Sequence, residues 1–149
     1  MASVAFKVGV IVERHPAVTQ WADYSWRVSQ VLVEPPEIPI GTVLKNEAGV
    51  LSLFAGYAEV EFHSVESGNY RDNLASGQPS LWVVLEAGET PGEIDLVAVL
   101  ADPAEGEAMT EAGDLIVEAV PMPASLAAEL VIFVAQHHVE QVFVKRIRD

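Results

Sequence analysis

Two groups of histidines and carboxylates have residue types and spacing that could do chemistry. Glu59, Glu61 and His63 alternate along the chain, so on a β-strand their side chains would share one face. Such a face could bind a metal ion or transfer a proton, although a solvated strand has the same pattern. His137 and His138 are adjacent, and on a helix adjacent side chains point about 100° apart. A metal site at that pair would therefore need further ligands from elsewhere.

The short motifs of familiar enzymes are absent from the sequence. There is no Gly-x-Ser-x-Gly, no phosphate-binding GxxxxGK[ST], no GxGxxG and no HExxH. The chain contains no cysteine, which excludes disulfides, thiolate zinc sites, iron–sulfur clusters and a cysteine nucleophile. We therefore identify no catalytic residue, expect no cofactor and consider an enzyme less expected than a binding protein. Glu59, Glu61 and His63 stay as the candidate metal ligands.

Acidic side chains dominate the second half of the chain. The 149 residues include 8 Lys and Arg against 22 Asp and Glu, a formal net charge of −14. Residues 72–144 contain acidic side chains and no Lys or Arg, whereas Lys145, Arg146 and Arg148 follow directly. Because phosphate and anionic lipid repel such a chain, neither nucleic acid nor a membrane surface is expected as its main partner. The acidic half is either a solvated face or a docking surface for a cationic partner.

Residue patterns predict mainly strands in the first two thirds of the chain. Leu51–Ala55 and Glu59–His63 flank Gly56-Tyr57 and so predict an antiparallel hairpin. Alternation or continuous apolar character predicts the other strands. These are residues 4–12, with Gly9 at a bulge or close approach, and residues 22–33, 81–86, 93–101 and 115–120.

Helices are predicted at three places. A polar segment at 67–76 predicts a short helical turn. Asp102-Pro103 predicts an N-cap and first turn for a helix over 104–112. Ser125 is expected to cap a last helix over 126–138. Together with the strands, these helices predict an α+β fold, a mostly antiparallel sheet or small barrel with a short helix and a C-terminal helix packed on it.

The length fits one domain over residues 1–149, with a core at about 4–138 and a tail at 139–149. No targeting signal is apparent, because the first apolar run is short and contains Lys7. The longest apolar stretch near the C-terminus is interrupted by Glu129 and is too short for a membrane span. We therefore expect a cytoplasmic protein.

Four segments resemble a known family over nearly the whole chain, in the same order. They are VGVIVER, QWADYSWRV, FHSVESGNYRDNLASGQPSLWVVLE and VPMPASLAAELVIFVAQHHVEQVFVKR. The family is a bacterial domain of unknown function, number thirty-three-oh-five. Its members are uncharacterised and typically encoded beside formate dehydrogenase and other molybdenum-enzyme genes, including accessory chaperones. The resemblance therefore implies an accessory role but no catalytic residues.

The matching positions suggest a shared surface or a shared requirement of the fold. Those taken as candidate binding residues are Trp21, Asp23, Tyr24, Tyr70, Asn73, His137, His138, Lys145 and Arg146. The leading hypothesis is an accessory protein that assists maturation or regulation of a molybdenum-dependent formate dehydrogenase and binds its precursor or its chaperone. One alternative is a β-rich domain that binds a small ligand or metal. The other is a structural protein that forms a homo-oligomer through its last helix and Phe143.

Overall fold

The computed structural model of the protein describes residues 2–17 and 24–148, with side chains as far as His137. The strands of this part of the chain are β1 (Ser3–Pro16), β2 (Tyr24–Leu32), β3 (Val43–Glu47), β4 (Val50–His63), β5 (Ser80–Ala87), β6 (Ile94–Leu100) and β7 (Ile116–Pro121). The helices are α1 (Ser67–Ala75), α2 (Pro103–Thr110) and α3 (Ala124–Arg148), with a 3₁₀ turn at Ser64–Glu66 before α1.

The described strands form two open antiparallel sheets. One sheet has the order β2-β1-β4-β3, and the other has the order β6-β5-β7. Hydrogen bonds among the described residues connect them: the Val28 N–H of β2 donates to the Glu118 carboxylate of β7 at 3.0 Å, and the Arg14 guanidinium of β1 donates to the carbonyl of Gly92, in the loop before β6, at 3.0 Å. The α+β fold predicted from the sequence is confirmed in its sheet form, since the described strands do not close into a barrel.

The core lies between the sheets and α3, and the central strands supply most of it. Val8, Val10 and Val12 of β1 are fully buried because alternate residues of a strand face one side. In β5, Leu81, Val83, Val84 and Leu85 are also fully buried, as is typical of a strand with a continuous apolar run that is covered on both faces. Gly9 allows a close approach, since a Cβ there would lie 2.7 Å from Pro35 Cβ.

The hairpin predicted around Gly56-Tyr57 is wrong, because β4 continues through both residues. Val10 pairs with Gly56 while Ile11 pairs with Phe54, so Ala55 is the extra residue of a β-bulge. Gly56 has a φ of 128°, which suits an irregular strand position as well as a turn.

The actual turn precedes β4. It is formed by Ala48 and Gly49, which join β3 to β4 and both have positive φ. The strand β3 itself was not predicted, and all five of its residues are exposed.

Helix α2 begins as predicted, whereas α3 differs at both ends. The Asp102 carboxylate accepts a hydrogen bond from the Ala104 N–H at 2.9 Å, and Pro103 occupies the first turn. Helix α3 begins at Ala124, so Ser125 lies inside its first turn instead of capping it. It also continues to Arg148, well past the end predicted at position 138.

One side of α3 packs on the core, as its apolar spacing predicts. Leu126, Leu130, Phe133 and Val134 are buried. The ring of Phe133 lies 6.2 Å from that of Tyr70, which packs α1 against α3. As far as their residues are described, α1, α2 and α3 lack the combination of length and apolar character that crossing a bilayer requires.

Candidate functional site

An acidic groove of about 200 Å³ lies between the second half of β4 and the end of β6. From β4 it is lined by Glu59, Glu61 and His63, whose side chains share the outer face of the strand. Residues 98–101 form the opposite wall, and Glu105 of α2 completes the lining. The fold thus adds a fourth titratable side chain to the three that the sequence predicted.

His63 and Lys7 affect the electrostatics of the β4 side of the groove. The His63 Nε2 lies 3.0 Å from the Glu61 Oε2, in a hydrogen bond that becomes an ion pair when the imidazole is protonated. Lys7 is opposite Glu59 in the β1–β4 register. Its ammonium lies over the ring of Tyr57, 4.4 Å from the ring centroid, in a cation–π contact. The carboxylates nevertheless dominate, since no Lys or Arg is among the described residues that line the groove.

Tyr70 holds the end of β4 in place. Its hydroxyl accepts a hydrogen bond from the His63 N–H at 2.9 Å and donates a longer one, of 3.4 Å, to the Glu61 carbonyl. The side chain is 1% exposed and packs against the ring of Phe62. Burial raises the pKa of Tyr70 to about 12, so the phenol stays neutral and keeps its proton to donate.

Asn73 holds the opposite wall. Its amide nitrogen donates to the carbonyls of Ser80, at 2.9 Å, and Ala101, at 3.0 Å. Its amide oxygen accepts from the Ser80 N–H at 2.9 Å. Asn73 is only 4% exposed, and Tyr70 is equally enclosed, so these two candidate binding residues lie inside the protein and position the groove.

Three carboxylates adjoin the groove where Glu105 enters it. Oxygen atoms of Glu66, Asp102 and Glu105 all lie within 4.8 Å of one another. Asp102 is 3% exposed, and the Glu66 Oε2 is also buried. Hydrogen bonding to Asp102, loss of hydration and the two neighbouring charges raise the pKa of Glu66 to about 8.

The chemistry of these carboxylates follows from their closeness. Carboxylates so near to one another disfavour full ionisation, so the cluster retains a proton near neutral pH. Carboxylate oxygens are also the donors that Mg²⁺ and Ca²⁺ prefer, so this cluster could hold a divalent cation in place of the proton. The sequence showed Asp102 only as a helix cap, and it did not indicate that Glu66 and Glu105 would meet there.

The other predicted site residues lie apart from the groove or outside the described residues. The Tyr24 ring lies 4.4 Å from the Arg14 guanidinium and lines a separate cavity of about 230 Å³ with residues 87–93. His137 is buried with its ring 4.4 Å from that of Phe133. It lies within α3, so the predicted position of the histidine pair at the C-terminal end of that helix is wrong. Trp21 and Asp23, and the side chains of His138, Lys145 and Arg146, lie outside the described residues.

A comparison with protein-family models covers the elements that build the groove. A protein-family model described as "Protein of unknown function (DUF3305)" matches residues 7–147. The chain belongs to this family. No curated protein and no solved structure matches this DUF3305 chain at a significant level. The DUF3305 match contains both sheets apart from the first four residues of β1, together with α1, α2 and nearly all of α3. All residues that line the groove therefore lie within the family region.

Proposed function

We propose that this protein is an accessory binding protein whose acidic groove receives a cationic segment of a partner protein. One observation carries the proposal: Glu59, Glu61 and Glu105 converge on one groove, and the described residues of its lining include no Lys or Arg. Opposite charge steers a partner to such a surface and selects against acidic competitors. The contact needs no catalytic group.

The size and the walls of the groove favour an extended segment as its occupant. A volume of about 200 Å³ accommodates one or two side chains and is smaller than the cavities that usually enclose a small-molecule ligand. The β6 wall is an edge strand of its sheet, and edge strands offer backbone groups to extended peptides. A lysine or arginine side chain from such a peptide would lie against the carboxylates.

For the partner, we propose the precursor of a molybdenum-dependent formate dehydrogenase or its chaperone. The protein would bind this partner in the cytoplasm. Two considerations support this choice. The family resemblance implies an accessory role beside such enzymes, and an export signal with neighbouring arginines has the cationic chemistry that the groove accepts. The role would be assistance in maturation or regulation.

Peptide titration tests the proposal. An arginine-bearing export-signal peptide is titrated calorimetrically into the full chain at low salt, beside the same peptide with glutamine at the arginines. We expect binding of the first peptide and a marked loss with the second. The Glu59→Gln/Glu61→Gln variant should raise the dissociation constant at least about tenfold, because it removes two charges from the groove.

The matched control is Glu107→Gln/Glu111→Gln, which makes the same charge change at two exposed positions away from the groove lining. It should change the dissociation constant little. Equal weakening by both double variants would mean attraction by the overall charge of −14 and would overturn the groove as the site. Absence of binding at low salt would reject the arginine-bearing signal as the occupant.

The Glu66, Asp102 and Glu105 cluster favours a second candidate function, binding of a divalent cation. Thermal unfolding of the full chain with Mg²⁺, Ca²⁺ or Mn²⁺, against EDTA, tests it. A metal that binds the folded state raises the midpoint temperature of unfolding, and Glu105→Gln should reduce that rise. No shift with any of the three ions would exclude this function for them.

A further inference from the structure

A larger cavity, of about 360 Å³, lies where the first half of β4 approaches the start of β6. Its described lining shares no residue with that of the acidic groove, which lies towards the other ends of the same two strands. Small-molecule sites in proteins usually have volumes of about 300 to 1,000 Å³. Unlike the acidic groove, this cavity is therefore large enough for a free small molecule.

Aliphatic and aromatic side chains form much of the wall of this cavity. Leu53, Phe54 and Ile94 are buried there, whereas Ile40 and Val43 line it and are 67% and 54% exposed. Exposed apolar side chains grouped around a cavity are typical of a binding site. The wall thus suits the apolar part of a ligand.

Arg14 brings a positive charge to the lining and is held in a fixed position. Its guanidinium donates to the Gly92 carbonyl at 3.0 Å and lies 4.4 Å from the centroid of the Tyr24 ring. Among the described residues, no ion pair involves this guanidinium. An arginine has five N–H donors in a planar fork that matches the two oxygens of a carboxylate. Arg14 can therefore bind the carboxylate of a ligand.

Two carboxylates accompany Arg14 in the same lining. Glu93 directly follows Gly92, and Asp95 lies two residues further, in β6. Both are exposed, and the ion pairs of the described side chains include neither of them. Opposite charges thus adjoin one apolar cavity without neutralising each other in an ion pair. A ligand complementary to this lining carries an ammonium and a carboxylate close together on an apolar body.

We propose that this cavity binds a free amino acid with an aliphatic side chain. The α-carboxylate lies on Arg14, the α-ammonium lies on the carboxylates of Glu93 and Asp95, and the side chain packs on the apolar wall. A simple fatty acid would place its single negative charge beside two carboxylates, and an alkylamine would leave Arg14 without an acceptor. This binding is independent of the cationic segment proposed for the acidic groove.

Calorimetric titration of the full chain with three probes of one apolar shape tests the ligand class. L-leucine has both charges, 4-methylpentanoate lacks the ammonium and 3-methylbutylamine lacks the carboxylate. We expect the dissociation constant of L-leucine to be at least about tenfold lower than that of either analogue, because each analogue loses hydrogen bonds between charged groups. Absence of L-leucine binding, or an analogue that binds as tightly, would overturn the proposal.

Charge-neutralising variants test the residues. Glu93→Gln/Asp95→Asn should raise the dissociation constant of L-leucine at least about tenfold and remove its preference over 4-methylpentanoate. The matched control is Glu107→Gln/Asp114→Asn, which makes the same charge change at exposed positions outside the cavity lining and should leave both values unchanged. Arg14→Lys keeps the charge but loses the planar fork, so it should also weaken L-leucine binding.

Circular dichroism checks that each of these variants folds. Equal weakening by the two double variants would mean a response to overall charge and would overturn the cavity as the site. An unchanged preference for L-leucine in Glu93→Gln/Asp95→Asn would refute the ammonium contact. Since the comparison of the three probes uses the native chain, it tests the proposal even where a variant fails to fold.

Discussion

The side-chain amide of Asn73 donates a hydrogen bond to the carbonyl oxygen of Ala101 at 3.0 Å, joining α1 to the β6 wall of the groove. Replacing Asn73 with alanine leaves the buried carbonyl of Ala101 and both backbone groups of Ser80 without these partners. We expect Asn73→Ala to lower the free energy of unfolding by about 2 to 4 kcal/mol, measured by urea denaturation. Asn46→Ala, in exposed β3, should change it by about 0.5 kcal/mol or less. Similar losses for both would contradict the role of Asn73.

Substitution by alanine should have opposite effects on stability at two helical glycines. A Cβ on Gly106 would lie 2.4 Å from the Trp82 ring, whereas one on Gly68 meets nothing within 4 Å. Gly106→Ala should therefore destabilise the fold by about 1 to 3 kcal/mol, despite the better helix propensity of alanine. Gly68→Ala should stabilise it by about 0.5 kcal/mol. Thermal unfolding of both variants measures this, and a stabilising Gly106→Ala would show that Trp82 is not packed against α2.

The raised pKa of Glu66 makes stability depend on pH. Its pKa is about 8 in the folded protein against an ordinary value of 4.5, so the folded state binds the proton more tightly than the unfolded state. Stability contributed by the protonated carboxyl is complete below about pH 4.5 and is lost as the pH rises towards 8. Glu66→Gln keeps a neutral side chain at both pH values. Its free energy of unfolding should therefore exceed that of the native protein by about 1 kcal/mol at pH 8 and be almost equal to it at pH 4.5.

Urea denaturation at the two pH values, with EDTA present, measures the difference. Glu107→Gln, at an exposed position of α2, is the control and should show no comparable change with pH. A Glu66→Gln advantage that is the same at both pH values would refute the shared proton.

The turn between β3 and β4 contains a correctable strain. Ala48 has a φ of 54°, which is unfavourable for a residue with a Cβ other than asparagine or aspartate. Glu47 pairs with Val50, so Ala48 and Gly49 form a two-residue turn of the kind that prefers Asn-Gly. Ala48→Asn should therefore raise the free energy of unfolding by about 0.5 to 1 kcal/mol. Gly49→Ala, with φ at 81°, should lower it, and chemical denaturation that ranks the two variants in the reverse order would contradict the turn geometry.

Local signals predicted the elements whose structure depends on local interactions. Alternation of Tyr24, Trp26 and Val28 with polar residues indicated β2 correctly, and Asp102-Pro103 indicated the start of α2. Gly56-Tyr57 resembles a turn locally. Pairing with the long strand β1 instead continues β4 through these two residues, and the extra residue, Ala55, forms a β-bulge. The conformation of that segment is determined by tertiary strand pairing, and a local sequence pattern does not reveal such pairing.

The candidate site was predictable only on its β4 side. Alternation placed Glu59, Glu61 and His63 on one strand face, as found. Glu105 reaches the same groove because the second sheet brings the end of β6 beside β4, and that arrangement depends on strand order. The end of α3 was misplaced because His137-His138 resembles a helix terminus, whereas the helix continues.

The first strand of the chain is an inner strand of its sheet, and this has a consequence for folding. Ser3 pairs with His63, so β1 completes its hydrogen bonds only after β4 has been synthesised. Until then its apolar face, with Val8, Val10 and Val12, is unprotected. Pairing across such long sequence separations makes folding slow and exposes intermediates to aggregation. Yield during expression should therefore improve at low temperature or with added chaperones, which protect β1 until its partner strand emerges.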